Sequence, residues 1–419
     1  MSPEVNRKVK FKKLLIESVR NGIYKQKEFH GRGCKIINMG ELFSFPRLHD
    51  VSMKRVELTE KEQSKSLVQQ GDLLFARRSL VAEGAGRCSI VREVNEPTTF
   101  ESSIIRARPN PALVSSDYLY YFFSSRLGRE LMGTILRQMA VSGITGSDLM
   151  ELEIECPELE KQKAIAAFLS ALDDRITLLR ETNVTLEAIA QALFKSWFVD
   201  FDPVHAKAEG REPEGMDATT AALFPESFEE SELGLVPKGW TVARFGDFIN
   251  RLSVGQKYDQ KSASTEGTVP VLDQGKSGII GYHNDSPGVK ASLETPVVVF
   301  ANHTCYMRLI TFDFSAIQNV LPFNGRGVDT VWAFYATKDR VKFSEYKGHW
   351  PNFAIEKSVL PPAALTYAFR DVVDPVIRKI RFNELQAQTL TQLRDTLLPR
   401  LISGQLRLPE AEALLEGSL

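Results

Sequence analysis

The feature that most constrains this chain is Leu159–Phe198, a stretch that contains neither Gly nor Pro. Apolar residues recur in it at alternating spacings of four and three, the pattern by which a helix buries one stripe against a partner helix. A helix of this length approaches about 60 Å, which is too long for the core of one compact domain. We therefore expect a partner helix. The stripe runs through Ile165, Leu169, Leu172, Ile176, Leu179, Asn183, Leu186, Ala190, Leu193 and Trp197.

A second long helix is predicted over residues 363–403, after Pro361-Pro362, just as Pro157 precedes the first helix. Asn183 and Asn383 lie 200 residues apart in corresponding helices, which indicates a repeat of domain, helix, domain, helix. If the helices pair antiparallel about a pseudo-twofold axis, the two Asn residues should meet near it and fix the register. The alternative is two unrelated helices, each packed on its own domain. The second stripe runs through Val373, Val376, Ile380, Asn383, Ala387, Leu390, Leu397 and Leu401, with Arg394 interrupting it.

Short apolar runs separated by turn residues predict strands in the remaining sequence. The predicted fold class is α+β, with two mixed α/β domains separated by two long antiparallel coiled-coil helices in a pseudo-twofold repeat. The predicted boundaries are a first mixed domain at 1–157, a first long helix at 158–199, an acidic linker at 200–235, a second mixed domain at 236–361, a second long helix at 362–404 and a tail at 405–419.

Composition supports a globular chain with sizeable cores, since 43% of its 419 residues are hydrophobic. No apolar run approaches the roughly 20 residues that span a bilayer, and the basic N-terminus lacks the hydrophobic region of a signal peptide. We therefore expect a cytoplasmic location. The four cysteines form no CxxC pair, so neither a zinc cluster nor a disulfide framework is indicated, and buried reduced thiols are expected.

Charge is distributed unevenly along the chain, although the formal net charge is only -1. Residues 1–155 carry 24 Lys and Arg against 19 Asp and Glu, and residues 236–360 carry 14 against 11. Residues 199–235 hold 2 basic and 10 acidic residues, which masks two mildly basic domains. On charge alone, a nucleic-acid footprint and an ordinary solvated surface are both open interpretations.

Catalytic motifs are weak or missing in this sequence. The two close glycines of Gly84–Ser89 lack a third glycine and a strand-turn-helix context, so a plain turn is favoured over nucleotide binding. Gly275–Ser277 resembles the end of a phosphate loop, but Pro270 occupies the place of its first Gly. No NPPY or DPPY tetrapeptide is present, by which amino-methyltransferases hold a flipped adenine, and the six histidines show no HExxH spacing.

Five stretches carry a family resemblance, in the order GDLLFARRSL, PELEKQKAIAAFLSALDDRI, NVTLEAIAQALFKSWFVDFDPV, LVPKGWTVARFGDFI and LRDTLLPRLISGQLRL. Together they resemble the DNA specificity subunit of type I restriction-modification systems across essentially the whole chain. LFKSWFVDFDPV and LLPRLISGQLRL are the most specific parts. The second helix departs from the family pattern because it opens with PPAALTYAFRD and lacks the EKQKAIA sequence.

This resemblance implies two target recognition domains, each reading one half of a bipartite, asymmetric site in double-stranded DNA, with the paired helices fixing the gap. It implies no catalysis by this chain, which would scaffold two modification subunits and ATP-dependent restriction subunits. No cofactor would be bound here, because S-adenosylmethionine belongs to the modification subunit, and ATP and Mg to the restriction subunit.

Candidate DNA-binding residues are basic or amide-bearing side chains in turns and at strand ends, the types that contact phosphates and base edges. In the first domain they are Lys25, Lys27, Arg32, Arg77, Arg78 and Arg87. In the second domain they are Gln256, Lys257, Tyr258, Gln274, Lys276, Ser277, Tyr282, His283, Asn284 and His303. Turn residues chosen for backbone conformation are the alternative for Ser277 and Asn284.

Three aromatic residues near the end of the first helix, Phe194, Trp197 and Phe198, are candidates for docking a modification subunit, since Trp and Phe are enriched in interface cores. A local contact with the adjacent domain explains them equally well. Two alternative functions also remain open: a coiled-coil adaptor that never binds DNA, and a stand-alone DNA methyltransferase or nuclease.

Overall fold

The computed structural model describes residues 7–79, 84–137, 142–275, 278–345 and 347–417. The chain forms two compact units, residues 1–178 with 386–419 and residues 179–385. Each long helix contributes to both units, because each crosses a boundary between them.

The first repeat alternates short strands with short helices before the first long helix begins. Its strands are β1 (Arg7–Lys10), β2 (Arg20–Asn21), β3 (His30–Ile37), β4 (Arg47–Leu48), β5 (Lys54–Val56), β6 (Leu73–Ala76), β7 (Arg78–Ser79), β8 (Cys88–Val91), β9 (Thr98–Phe100), β10 (Ile104–Ala107), β11 (Ser142–Gly143) and β12 (Glu153–Cys156). Its helices are α1 (Met39–Ser44), α2 (Glu60–Ser66), α3 (Ser116–Ser124), α4 (Arg126–Gly133), α5 (Gly146–Glu151) and α6 (Leu159–Phe198).

A mixed five-stranded sheet in the order β2-β10-β6-β8-β4 forms the centre of the first unit, and β5-β3-β9 form a second sheet. The central strands are buried along their whole length, as the burial of β6, β8 and β10 shows. One apolar core joins this sheet to α3 and to the long helices, since Phe75, Tyr118, Leu169 and Leu397 belong to the same cluster. The helices are therefore part of this unit's core.

The second repeat has a similar sequence of elements. Its strands are β13 (Phe228–Ser231), β14 (Gly234–Pro237), β15 (Thr241–Arg244), β16 (Ile249–Arg251), β17 (Lys257–Tyr258), β18 (Val269–Leu272), β19 (Ile279–His283), β20 (Val297–Ala301), β21 (Met307–Ile310), β22 (Ser315–Ile317), β23 (Val320–Gly325) and β24 (Lys357–Leu360). Its helices are α7 (Asp202–Ala208), α8 (Ala218–Ala222), α9 (Phe245–Phe248), α10 (Thr330–Thr337), α11 (Trp350–Ile355) and α12 (Ala363–Ile402), and α13 (Leu408–Glu416) follows in the first unit.

Two four-stranded sheets, β16-β23-β20-β21 and β17-β22-β18-β19, form the second domain. The first sheet shares an aromatic core with the long helices, in which Phe194, Trp332 and Phe369 belong to one cluster. The second sheet has its own smaller core around Leu272, Phe314 and other apolar residues. The predicted mixed α/β class is thus observed in both units.

Strand pairing in the two units supports the predicted repeat. The order β2-β10-β6-β8 in the first unit matches β16-β23-β20-β21 in the second, and the neighbouring strands in both orders are antiparallel. In both units, an early strand pairs with the last strand before a long helix, as β1 with β12 and β15 with β24. A domain helix follows the sheet in each case and begins after a side-chain N-cap, Ser115 for α3 and Asp329 for α10. The topology of the central sheet therefore occurs twice.

The two long helices pack antiparallel in the second unit. Asn183 of α6 contacts Asn383 of α12, and Phe194 contacts Phe369, so residue numbers rise on one helix as they fall on the other. The Asn383 Nδ2 donates to Asn183 Oδ1 at 2.8 Å, and the Asn183 Nδ2 donates to the carbonyl oxygen of Ile380 at 3.1 Å. The predicted meeting of the two Asn residues is confirmed.

The remaining predicted stripe residues face the interior of their own unit. In the first unit Leu172, Ile176, Leu390 and Leu397 are buried. In the second unit Leu179 and Asn383 are buried, whereas Asn183, Leu186, Leu193 and Ile380 are half-buried.

The acidic stretch 200–235 has more regular structure than a linker would need. It contains α7, α8 and most of the β13–β14 hairpin. Val204 and Phe224 belong to the core of the second domain, and the Lys207 ammonium donates to the carbonyl oxygens of Ala221 and Phe224. The stretch is folded onto the second domain because its few apolar residues are buried there.

Candidate nucleic-acid interface

The central strands β6 and β20 end in equivalent turns. The Arg77 N–H, directly after β6, donates to the carbonyl oxygen of Ser103 at 2.7 Å, and the Asn302 N–H, directly after β20, donates to that of Asn319 at 2.9 Å. Arg77 and Asn302 therefore hold the same position in the two repeats, and Arg78 and His303 hold the next. Asn302 was not predicted as a site residue, although the sequence pair FARR and FANH carries the correspondence.

The two arginines after β6 differ in the solvent exposure of their side chains. The Arg77 side chain is half-buried, and its Nη1 donates to the carbonyl oxygen of Ser102 at 3.3 Å. Arg78 is exposed in β7, which pairs with β11. Arg78 is thus the better placed of the two to contact a phosphate.

The basic loop before and at the start of β3 is partly neutralised by nearby acids. The Lys25 ammonium lies 2.8 Å from a Glu62 carboxylate oxygen, and the Arg32 guanidinium pairs with Glu57 at 2.7 Å. The hydrogen bond from Lys25 and the Thr59 backbone N–H lower the pKa of Glu62 to about 2. Lys27 is exposed. Any DNA contact by Lys25 or Arg32 would compete with these carboxylates.

Arg87 is exposed and its guanidinium lies 5.5 Å from the centre of the Phe43 ring. It also lines a cavity of about 370 Å³ together with Tyr121, Asp173 and Arg394. The side chain is accessible, and its cation–π contact leaves its hydrogen-bond donors for other partners.

In the second domain, Gln256 directly precedes β17 and Lys257 begins it, and both are exposed, whereas Tyr258 is buried. The Tyr258 hydroxyl donates to the Asp285 carboxylate at 3.1 Å, and its ring stacks on His283 at 4.2 Å between centres and 9° between planes. His283 is itself buried, with Ser315 Oγ 2.9 Å from Nε2 and the Asp285 N–H donating to Nδ1 at 3.0 Å.

These contacts correct the expected roles of Tyr258 and His283. Both side chains are buried, and their polar atoms form hydrogen bonds inside the domain. Neither side chain is therefore available to contact a base edge directly. The sequence could not distinguish a buried histidine from an exposed one in the short run YHN.

Three other predicted residues of this domain have partners within it. Gln274 Oε1 accepts from the His303 N–H at 3.0 Å, and Asn284 Oδ1 accepts from the Thr268 N–H at 3.1 Å. Tyr282 is half-buried in β19 opposite Pro270. Gln274 and Asn284 therefore shape the turns in which they lie, while Asn284 stays exposed. The predicted Lys276 and Ser277 lie outside the described residues.

The three aromatic residues predicted to dock a subunit are buried. Phe194 is 9% exposed and Trp197 and Phe198 are each 5% exposed. All three contact Phe369 in the core of the second domain. These contacts favour the alternative of a local contact with the adjacent domain, because a docking residue must be accessible before its partner arrives.

A polar clamp joins α3 to both long helices in the first unit. The Tyr121 hydroxyl donates to Asp173 Oδ2 at 2.7 Å, and Arg394 Nη1 donates to Asp173 Oδ1 at 2.6 Å. Burial lowers the pKa of Arg394, but its bonds to Asp173 and Asp395 outweigh that effect and hold the pKa above its usual value. This pair explains why Arg394 interrupts the apolar stripe.

A related polar contact occurs in the second unit, but it joins α10 to α6 alone. Tyr335 has the same place in α10 as Tyr121 in α3, six residues after the N-cap. Its hydroxyl donates to Glu187 Oε2 at 3.0 Å, and Lys338 Nζ donates to Glu187 Oε1 at 2.5 Å. Burial, followed by the nearby Glu187 charge, raises the pKa of Tyr335, so the hydroxyl stays protonated. Neither clamp was predicted.

Among the described residues, no group of three or more His, Cys, Asp or Glu could hold a metal ion. In the same part of the chain no helix is long and apolar enough to cross a membrane. Cys34, Cys88, Cys156 and Cys305 are free and buried.

Two mixed domains with the same order of core strands, each with a polar turn at the end of its central strand, define a tandem α/β scaffold. Comparison with known proteins shows what the chain resembles. Residues 7–188 match the family described as the type I restriction modification DNA specificity domain. The resemblance predicted from the sequence is thereby confirmed.

Similarity to specificity subunits extends over most of the chain. It is 24% identical to the HindI type I restriction enzyme specificity subunit of Haemophilus influenzae, over 88% of this chain and 94% of that protein. It is 25% identical to the MjaIX specificity subunit of Methanocaldococcus jannaschii, over 92% and 90% respectively. The fold matches the S subunit of a type I restriction-modification system from M. genitalium with a TM-score of 0.52 and 15% identity, covering 96% and 97% of the two chains.

Proposed function

We propose that this chain is the sequence-specific DNA-binding specificity subunit of a type I restriction-modification complex, and that each of its domains reads one half of a bipartite site. The observation that carries the proposal is the repeat. Two domains of the same topology end their central strands in equivalent turns, which hold Arg77 and Arg78 in one and Asn302 and His303 in the other. Because the side chains differ at equivalent positions, the two half-sites differ, and the whole site is asymmetric.

Physical chemistry favours this use of a repeat. Each domain alone is a weak reader, but a tether raises the effective concentration of the second domain once the first has bound. Arginine and lysine contacts to phosphates supply affinity that falls with salt, while Arg, Asn and Gln can read base edges in the major groove. The exposed side chains that we assign to DNA contact are Lys27, Arg78, Arg87, Gln256, Lys257 and Asn284.

The partners that we propose are those that the family resemblance implies. We assign one modification subunit to each repeat, two in all, with restriction subunits joining the assembled complex. The modification subunits then bind S-adenosylmethionine and transfer the methyl group. The restriction subunits bind ATP with Mg and cleave the DNA. This chain supplies the sequence specificity and catalyses no reaction of its own.

Footprinting tests the proposal. The chain assembled with its modification subunit is expected to protect one bipartite sequence in a DNA library, and indifference to sequence would overturn the proposal. Arg78→Glu should weaken binding and lower the slope of log affinity against log salt by about 1 for one lost phosphate contact. Arg126→Glu is the matched control, because Arg126 is 84% exposed on α4 in the same domain and is not assigned to DNA.

Two outcomes would favour the alternative functions. Unchanged target methylation after reversing the charges of Arg77 and Arg78 would favour a coiled-coil adaptor. Transfer of a radiolabelled methyl group to DNA by the isolated chain would favour a stand-alone methyltransferase.

A further inference from the structure

His283 is the centre of a buried polar cluster in the β17-β22-β18-β19 sheet of the second domain. Its ring is 7% exposed and stacks on Tyr258. Ser315, which is fully buried on β22, places its Oγ 2.9 Å from Nε2. A buried histidine whose two ring nitrogens both have partners is held in one orientation.

The hydrogen bonds define which ring nitrogen carries the proton. The Asp285 backbone N–H donates to Nδ1 at 3.0 Å, so Nδ1 must be the unprotonated nitrogen. The single proton of the neutral ring then lies on Nε2, which donates to Ser315 Oγ. The same oxygen accepts from the Gly288 N–H at 3.0 Å. His283 and Ser315 together therefore fix both ends of the turn 284–288.

A second loop depends on the same cluster. Tyr258 is anchored by its stack on His283 and by its hydroxyl bond to Asp285. Upstream of Tyr258, the backbone at Val254 packs closely on Gly288, where an added Cβ would lie 2.2 Å from the Val254 carbonyl oxygen. The exposed Gln256 and Lys257 are carried by this loop, and the exposed Asn284 is carried by the turn.

We propose that His283 is a positioning residue for recognition of one half-site. It makes no contact with DNA itself. It holds the loop 253–258 and the turn 284–288 against β22, so that Gln256, Lys257 and Asn284 meet the DNA in one arrangement. The proposal rests on the proposed DNA-reading function, and it concerns only the half-site that the second domain reads.

The test uses the full chain assembled with its modification subunit and a library of bipartite sites that carry every single-base change. Methylation of each site, read by sequencing, gives the discrimination at each position. One mismatched base pair is ordinarily worth roughly 5- to 150-fold. His283→Ala and Ser315→Ala are each expected to lower discrimination by about tenfold or more at positions of one half-site. Tyr258→Phe, which keeps the stack and loses the bond to Asp285, should have a smaller effect at the same positions.

Two controls separate positioning from general destabilisation. His205→Ala removes an exposed histidine of α7, outside the β17-β22-β18-β19 sheet, and should leave discrimination unchanged. Arg78→Glu removes a phosphate contact in the first domain, so it should lower methylation of all sites together and leave the ratios between sites unchanged. A variant that only destabilises the fold lowers methylation at all sites together and leaves the ratios between sites unchanged.

Each result has a distinct meaning. If the complex with the wild-type chain shows no sequence preference, the proposed function itself fails. If that complex is selective but His283→Ala and Ser315→Ala keep their discrimination, or lose it equally in both half-sites, the positioning role is overturned alone. Ser315→Ala changes a single oxygen atom, so it tests the proposal even if His283→Ala does not fold.

Discussion

The contact between Asn183 and Asn383 predicts an unequal pair of substitutions. Asn383 is 1% exposed, and its Oδ1 is buried without a hydrogen-bond partner. Asn183→Leu would also leave the Asn383 Nδ2 without its acceptor, at a cost of about 1–3 kcal/mol for a buried unsatisfied group. Asn383→Leu removes the unpaired Oδ1 and leaves only Asn183 Oδ1 without a donor at a half-buried position, so its cost is smaller.

Replacing both residues with Leu should restore most of the lost stability. The double variant has no unpaired side-chain group at the contact and buries two apolar side chains. We therefore expect an interaction free energy of about 1–3 kcal/mol between the two substitutions. The double variant also lacks a polar contact that disfavours shifted registers.

Hydrogen exchange on the full chain measures the free energy of opening around the Asn183–Asn383 contact. A local measurement is needed because a chain of two units need not unfold in one step. Amides of residues 179–193 report on the contact, and about 1.4 kcal/mol corresponds to a tenfold change in protection. Thr185→Leu, at an exposed position of α6, is the control. Additive effects, or a larger loss for Asn383→Leu than for Asn183→Leu, would refute the reasoning.

Three further predictions concern the first unit. Asp173→Ala should lower the opening free energy that hydrogen exchange measures at the amides of α3 by about 3 kcal/mol, the lower end for breaking a buried pair, because the Arg394 side chain keeps 26% exposure; a change below about 0.5 kcal/mol would show that the pair is not formed. The lowered pKa of Glu62, about 2 instead of 4.5, means that its bond to Lys25 stabilises the fold above pH 4.5 and that this contribution is lost as pH falls towards 2. Glu62→Gln should remove that part of the acid titration of stability, and an identical acid profile would contradict the assignment. Burial raises the pKa of the Cys88 thiol, so alkylation at pH 8 should require unfolding, and rapid labelling of the folded chain would count against its burial.

The long helices were predictable because their signal is periodic and long. Leu159–Phe198 is one helix in the structure, and the two Asn residues meet as expected. Pro375 and Pro399 lie within α12, where propensity alone favours a break. The helix continues because Val373 and Ile377, on either side of Pro375, are buried in the core of the second domain. Tertiary packing outweighs the local cost there.

The candidate site was less predictable, since residue type says little about burial. Arg78 and His283 both lie in polar turns of the sequence, yet the first is exposed and the second is enclosed by Tyr258 and Ser315. The enclosure depends on β22, more than thirty residues later in the chain. The clamps escaped prediction for the same reason, because Tyr121 and Asp173 come together only through the packing of α3 on α6.

The methylated-adenine motif in cells that produce this chain with its modification subunit tests the central claim most directly. Sequencing that reports methylated bases should find one bipartite motif, with two different half-sites separated by a fixed number of unspecified bases, and deletion of the gene for this chain should abolish it. A single contiguous motif, two identical half-sites, or a motif that survives the deletion would contradict the account.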